Sequence, residues 1–159
     1  MELWIRRYIG IALVGGGVLG LATVVGYFSQ QLELAQWALL LAICIFYIWS
    51  TIIGVLVLEG KRSRKVMYQA LTIQLLQIPV VSLPVITYQV ASGFHLDFIY
   101  STLQNFYFSV KIGSKFSLGF LDGGQVIVIG VNLAALLASV LFVKYVIPSI
   151  EVSSSNESV

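Results

Sequence analysis

Four stretches of this chain, residues 8–28, 34–58, 66–91 and 125–147, run for 21 residues or more without an Asp, Glu, Arg or His. About 20 consecutive apolar residues cross the ~30 Å hydrocarbon core of a bilayer as an α-helix. The pattern predicts an all-α membrane protein, a four-transmembrane-helix bundle. Lys144 is the one charge inside these limits, in the last turn of the fourth run, where it can snorkel. Composition excludes a water-soluble fold: 10% of residues are charged and mean hydropathy is +0.95, against about 25% charged in soluble domains. The first run follows Arg6 and Arg7, as in a signal peptide. It exceeds the about 7–15 residues of a signal h-region, so a retained span is expected.

Basic residues set the orientation. Arg6 and Arg7 precede the first run, Lys61, Arg62, Arg64 and Lys65 lie between the second and third, and Lys144 ends the fourth. In a four-span topology these fall on one side, which the positive-inside rule makes cytoplasmic for both termini. Trp4, Tyr8, Trp37, Tyr68, Tyr88 and Tyr145 stand near predicted span ends, as an aromatic belt requires. The short loops suit a bacterial inner membrane. Residues 149–159 are small and polar and are read as a disordered tail, with its Asn156-Glu157-Ser158 acceptor triplet taken as chance.

Residues 106–121, FYFSVKIGSKFSLGFL, are apolar yet carry Lys111 and Lys115 near the centre. A lysine at mid-bilayer costs about 2.5–3.5 kcal/mol, and the stretch alternates with the period of a strand. A short extracytoplasmic β-hairpin is expected between the third and fourth helices, inside an outer loop at 92–124. A three-residue turn at Gly113-Ser114-Lys115 would pair Ile112 with Phe116 and keep one face apolar.

No group of residues signals catalysis, a cofactor or a metal. Cys44 stands alone, and His95 with Asp97 is read as an ordinary surface pair. Ala12, Gly16 and Gly20, and again Gly130, Ala134 and Ala138, recur every fourth residue, so each set predicts a smooth helix-packing stripe. The third run carries Gln74 and Gln77, and Asn132 in the fourth is their expected hydrogen-bonding partner. Pro79 and Pro84 are expected to kink that third helix by freeing carbonyls one turn back. The leading functional expectation is a non-enzymatic accessory subunit or homo-oligomer of the membrane. Its partners would be the lipid bilayer and another membrane protein or itself, with no nucleic acid. The alternative is a channel or uncoupled carrier whose path runs along the polar third span.

Overall fold

The computed structural model describes residues 2–29, 31, 33–60, 63–120 and 126–148. Lys61, Arg62, Leu121 at the end of the expected hairpin, and the tail with its Asn156 triplet lie outside them. The architecture corrects the four-span expectation. Two long helices, α1 (Glu2–Val25) and α2 (Leu34–Leu58), are followed by α3 (Arg64–Leu76), by strands β1 (Pro79–Ser82), β2 (Ile86–Ala91), β3 (Phe94–Ser101), β4 (Asn105–Ile112), β5 (Lys115–Phe120) and β6 (Val128–Asn132), and by α4 (Leu133–Tyr145). The protein is therefore not an all-α bundle. It is a helical hairpin joined to a six-stranded antiparallel sheet.

Two helices are long and apolar enough, by length and composition, to cross a membrane: Leu3–Phe28, taking α1 with the 3-10 turn that follows it, and Leu34–Leu58. They pack closely because glycine faces backbone. A Cβ on Gly17 would stand 2.9 Å from the Tyr47 carbonyl, and one on Gly54 2.8 Å from the Val14 nitrogen. The Ser50 hydroxyl donates to the Leu13 carbonyl across this seam at 3.1 Å. Gln36 caps the start of α2, its Oε1 accepting from the Glu33 amide at 2.9 Å.

The third apolar run is helical only as far as Leu76. Ile78 precedes a proline and is driven out of the α region, and Pro79 opens a strand instead of kinking a helix. Pro84 lies in the turn between β1 and β2. Val80, Val81, Ile86, Thr87 and Val90 are β-branched and fill both strands. The fourth run divides likewise into β6 and α4, and Asn132 sits at the junction. Its Oδ1 accepts from the Ala135 amide at 3.2 Å and caps α4. α3 and α4 have 13 residues each. At 1.5 Å per residue each is about 20 Å long, short of the ~30 Å hydrocarbon core. They complete one apolar core with Ile9 and Leu13 of α1 and Ile53 and Val57 of α2, centred on Met67, Ile73 and Phe142.

The sheet order is β4-β3-β6-β1-β2-β5. Strands occupy most of the expected hairpin at 106–121, but β4 and β5 do not pair with each other. Ile112 opposes Phe94, and Phe116 opposes Val90. The register runs without a slip from Ile86↔Phe120 and Ala91↔Lys115 through Phe94↔Ile112 to Ser101↔Asn105. β2–β3 and β4–β5 are therefore the two arms of one long hairpin, whose turn is at residues 102–104 and not at Gly113-Ser114-Lys115. Asn105 closes that turn with φ +57°, a conformation asparagine tolerates. The arms bend together at Ser92-Gly93 and Gly113-Ser114, so that β2 lies beside β1 and β3 beside β6 on either side of the β1–β6 pair.

The bend rests on α1. Gly93 has φ +88° and lies over the Ala12 carbonyl, and the Ser114 hydroxyl donates to the Gly16 carbonyl. A Cβ on Gly16 would stand 2.4 Å from the Gly93 nitrogen, whereas one on Gly15 would meet nothing within 4 Å. Gly16→Ala should therefore destabilise by about 1–3 kcal/mol, as overpacking does. Gly15→Ala should gain about 0.5–1 kcal/mol from helix propensity. Thermal unfolding of both variants in detergent, followed by circular dichroism, checks the opposite signs.

Candidate functional site

Alternation along β3 turns His95, Asp97, Ile99 and Ser101 inward, all buried. His95 and Asp97 are each 2% exposed, which corrects the expected surface position. Neighbouring strands supply the rest of a polar interior. Gln89 on β2 donates from Nε2 to Asp97 Oδ2 at 3.2 Å, and His95 Nε2 is 3.9 Å from the same oxygen. Lys111 stands opposite His95, Ser109 opposite Asp97 on one side and Asn132 on the other. Asp97 Oδ1, both ring nitrogens of His95 and the Ser92 hydroxyl are buried without a partner in hydrogen-bond geometry.

Electrostatics follows from this burial. Desolvation lowers the His95 pKa, with Lys111 and Lys115 acting in the same direction and Asp97 and the nearby Gly93 carbonyl opposing. Desolvation raises the Asp97 pKa against the pull of His95, Lys115 and Lys111. Burial also lowers Lys115, assisted by Lys111 and opposed by Asp97. Burial thus works against the charged form of each group, the imidazolium of His95 and the carboxylate of Asp97. No group of three His, Cys, Asp or Glu that could hold a metal occurs among the described residues.

The outer face of the same strands has the opposite chemistry. Phe94, Phe98 and Tyr100 of β3 and Phe106, Phe108, Val110 and Ile112 of β4 are exposed, Ile112 to 84%. Direct opposition builds one surface: Phe98↔Phe108, Tyr100↔Phe106 and Phe94↔Ile112. The Phe98 ring stacks on Phe106 at 5.6 Å between centroids and leans on Phe108 at 5.0 Å. A groove of about 650 Å³ continues this surface onto α4, lined by Phe94, Leu96, Leu133, Ala134, Leu137 and Tyr8 among others.

The residues singled out from the sequence are dispersed. Ala12 and Gly16 receive the strand bend, while Gly20 lies under the Tyr47 ring of α2. Gly130 is on β6, where a Cβ would stand 2.7 Å from the Phe98 carbonyl, so its spacing to Ala134 is not a helical stripe. Ala134 lines the groove and Ala138 is in the core. Gln74 is buried in α3. Gln77 ends that helix: its Nε2 donates to the Ile73 carbonyl at 3.2 Å and its Oε1 accepts from the Ser92 amide at 2.9 Å. It holds the hairpin bend and does not bond Asn132. Arg6 is buried with its guanidinium near Gly60, Arg7 and Lys65 are exposed, and Arg64 lies over the Tyr68 ring at 5.6 Å. Cys44 is a half-buried free thiol.

A helical reading of 66–91 sets Gln89 on a face of that helix and so hides the polar interior, where β2 brings it to Asp97. The alternation FHLDFIYS at 94–101 carried the signal. Comparison with family models, curated proteins and solved structures finds no match.

Two variants test the burial. With a raised native pKa, the Asp97 charge destabilises the fold above that value and ceases to do so below the ordinary carboxylate range. Asp97→Asn should therefore raise the unfolding midpoint at pH 8, with a gain that fades as pH falls toward about 4. His95 is depressed, so the unfolded chain takes up the proton first and stability falls as pH drops below about 6.5. His95→Gln should flatten that decline. Unfolding midpoints at pH 5 to 8 check both signs.

Proposed function

We propose that this chain is a non-enzymatic membrane assembly protein: a two-helix anchor carrying a sheet whose outer face holds another protein in an apolar setting. The observation that carries the reading is the inverted alternation of β3 and β4, polar side chains inside and aromatic side chains outside. In water that arrangement forfeits about 25 cal/mol for each Å² of apolar surface left exposed. Against lipid or a protein partner it is the favourable sense, as in transmembrane strands that alternate apolar-out and polar-in. The apolar outward sides of α1 and α2, with Ile11, Val18, Ile45 and Ile52 exposed, support the same setting.

The orientation proposed is that of a cell-membrane protein with its N-terminus and the 59–65 loop cytoplasmic. Arg6, Arg7, Arg64 and Lys65 then share the cytoplasmic end of the helices, with Lys144 close by, since Val146 packs in the same core as Ile9. A second reading, passage of a small solute through the sheet interior, is favoured by the unpartnered atoms of His95, Asp97 and Ser92. It predicts that Asp97→Asn changes solute flux in proteoliposomes while leaving the assembly intact.

Affinity capture of the tagged chain from mildly solubilised membranes, with native mass spectrometry, tests the leading reading. A stoichiometric companion, either another protein or another copy, is the expected result. Phe106→Gln with Phe108→Gln should reduce its recovery about tenfold, equivalent to about 1.4 kcal/mol of binding, with the circular dichroism spectrum unchanged. Recovery of the unaltered chain as a lone monomer would overturn the reading.

A further inference from the structure

We propose that the companion is a second copy of this chain, joined edge to edge through β4 about a two-fold axis. The inference rests on the reading of the outer face as one that works in an apolar setting. β4 ends the sheet order and is paired with β3 alone. The opposite end, β5, turns one face toward the chain's own helices: Phe116 packs on the Val24, Leu40 and Tyr47 cluster, and Ser114 at the start of that arm donates to Gly16. β4 is the longer of the two outer strands, with eight residues against six. Along it, alternate residues turn their N–H and C=O groups outward, and in apolar surroundings such groups require partners. A native edge is ordinarily blunted by proline, a bulge or several charges. β4 spans eight residues, NFYFSVKI, with one charge and no proline.

The strand's own sequence specifies the occupant. In antiparallel pairing centred on Ser109, Phe106 stands opposite Ile112 of the second copy and Phe108 opposite Val110. The apolar surface then runs unbroken across both sheets. On the inner face Ser109 meets its counterpart, and Tyr107 stands opposite Lys111, so no lysines are opposed and each ammonium lies beside an aromatic ring. A slip of one residue would set Phe108 against Lys111 and mix the faces. Centring on Phe108 would leave Ile112, the most exposed apolar residue of the strand, opposite the turn. Because the two-fold pairing uses the same edge of both copies, it closes at two copies.

Disulfide trapping tests this in the full chain in nanodiscs, with Cys44→Ser as background. Opposed residues of an antiparallel pair have Cα atoms about 4.5–5.5 Å apart, within the span of a disulfide. Ser109→Cys should give a covalent dimer under mild oxidation. Leu103→Cys, in the exposed hairpin turn far from the axis, should not, and native mass spectrometry of the unoxidised chain should give two copies. Trapping at Leu103 and not at Ser109 would overturn the proposal. So would a monomer that does not trap at Ser109 but still captures a different protein through Phe106 and Phe108, in which case the proposed function stands. A monomer that captures nothing overturns both.

Discussion

The fold depends on a contact made almost entirely by backbone. At Gly16 the middle of α1 approaches the Ser92-Gly93 bend so closely that a single methyl group would have to displace main chain. On the other arm, Ser114 reaches the Gly16 carbonyl. Gln77, at the end of α3, holds the same bend through the Ser92 amide. These three attachments fix where the long hairpin changes direction. They therefore fix how β2 and β3 come to flank the β1–β6 pair, and how Gln89 and Asp97, from opposite sides of the bend, meet at 3.2 Å.

That bend also separates two environments. Inside it lie His95, Asp97, Gln89, Ser92 and Asn132, all buried, with unpartnered atoms on His95, Asp97 and Ser92. Outside lies the ring of Phe98 in contact with those of Phe106 and Phe108. A buried polar group is tolerable when its partners are near, and an exposed aromatic face is tolerable when something apolar covers it. The two features belong to one alternation, because successive side chains of a strand point to opposite faces. Placing the histidine and the aspartate inward necessarily places the phenylalanines outward.

Legibility in the sequence followed length and charge. The 21- and 25-residue runs at 8–28 and 34–58 have no competing pattern, and each is helical through most or all of its length. The runs at 66–91 and 125–147 are as long and also free of Asp, Glu, Arg and His, but hydropathy does not distinguish one continuous helix from a short helix joined to buried strands. The distinction lay in Pro79, Pro84 and the β-branched residues around them, and in Asn132, which caps a helix more readily than it sits within one. The period of two at 106–120 was readable as strands. Their pairing was not, since a register that keeps Ile112 and Phe116 on one face satisfies a local hairpin as well as it satisfies the distant partners Phe94 and Val90.

By itself the sequence determined the local chemistry: two helices apolar enough to cross a membrane, basic residues gathered at their N- and C-terminal ends respectively, and strand alternation with opposite chemistry on its two faces. Those properties depend on residue type and short spacing alone. Only the tertiary structure decided that the arms of one hairpin lie on both sides of a central strand pair, that α3 and α4 stop at half length, and that His95 and Asp97 are interior. Each of those depends on residues far apart in the chain, where Gly16 is brought against Ser92 and Phe98 against Val131. Such contacts are selected by the free energy of the assembled fold, which no local window of residues contains.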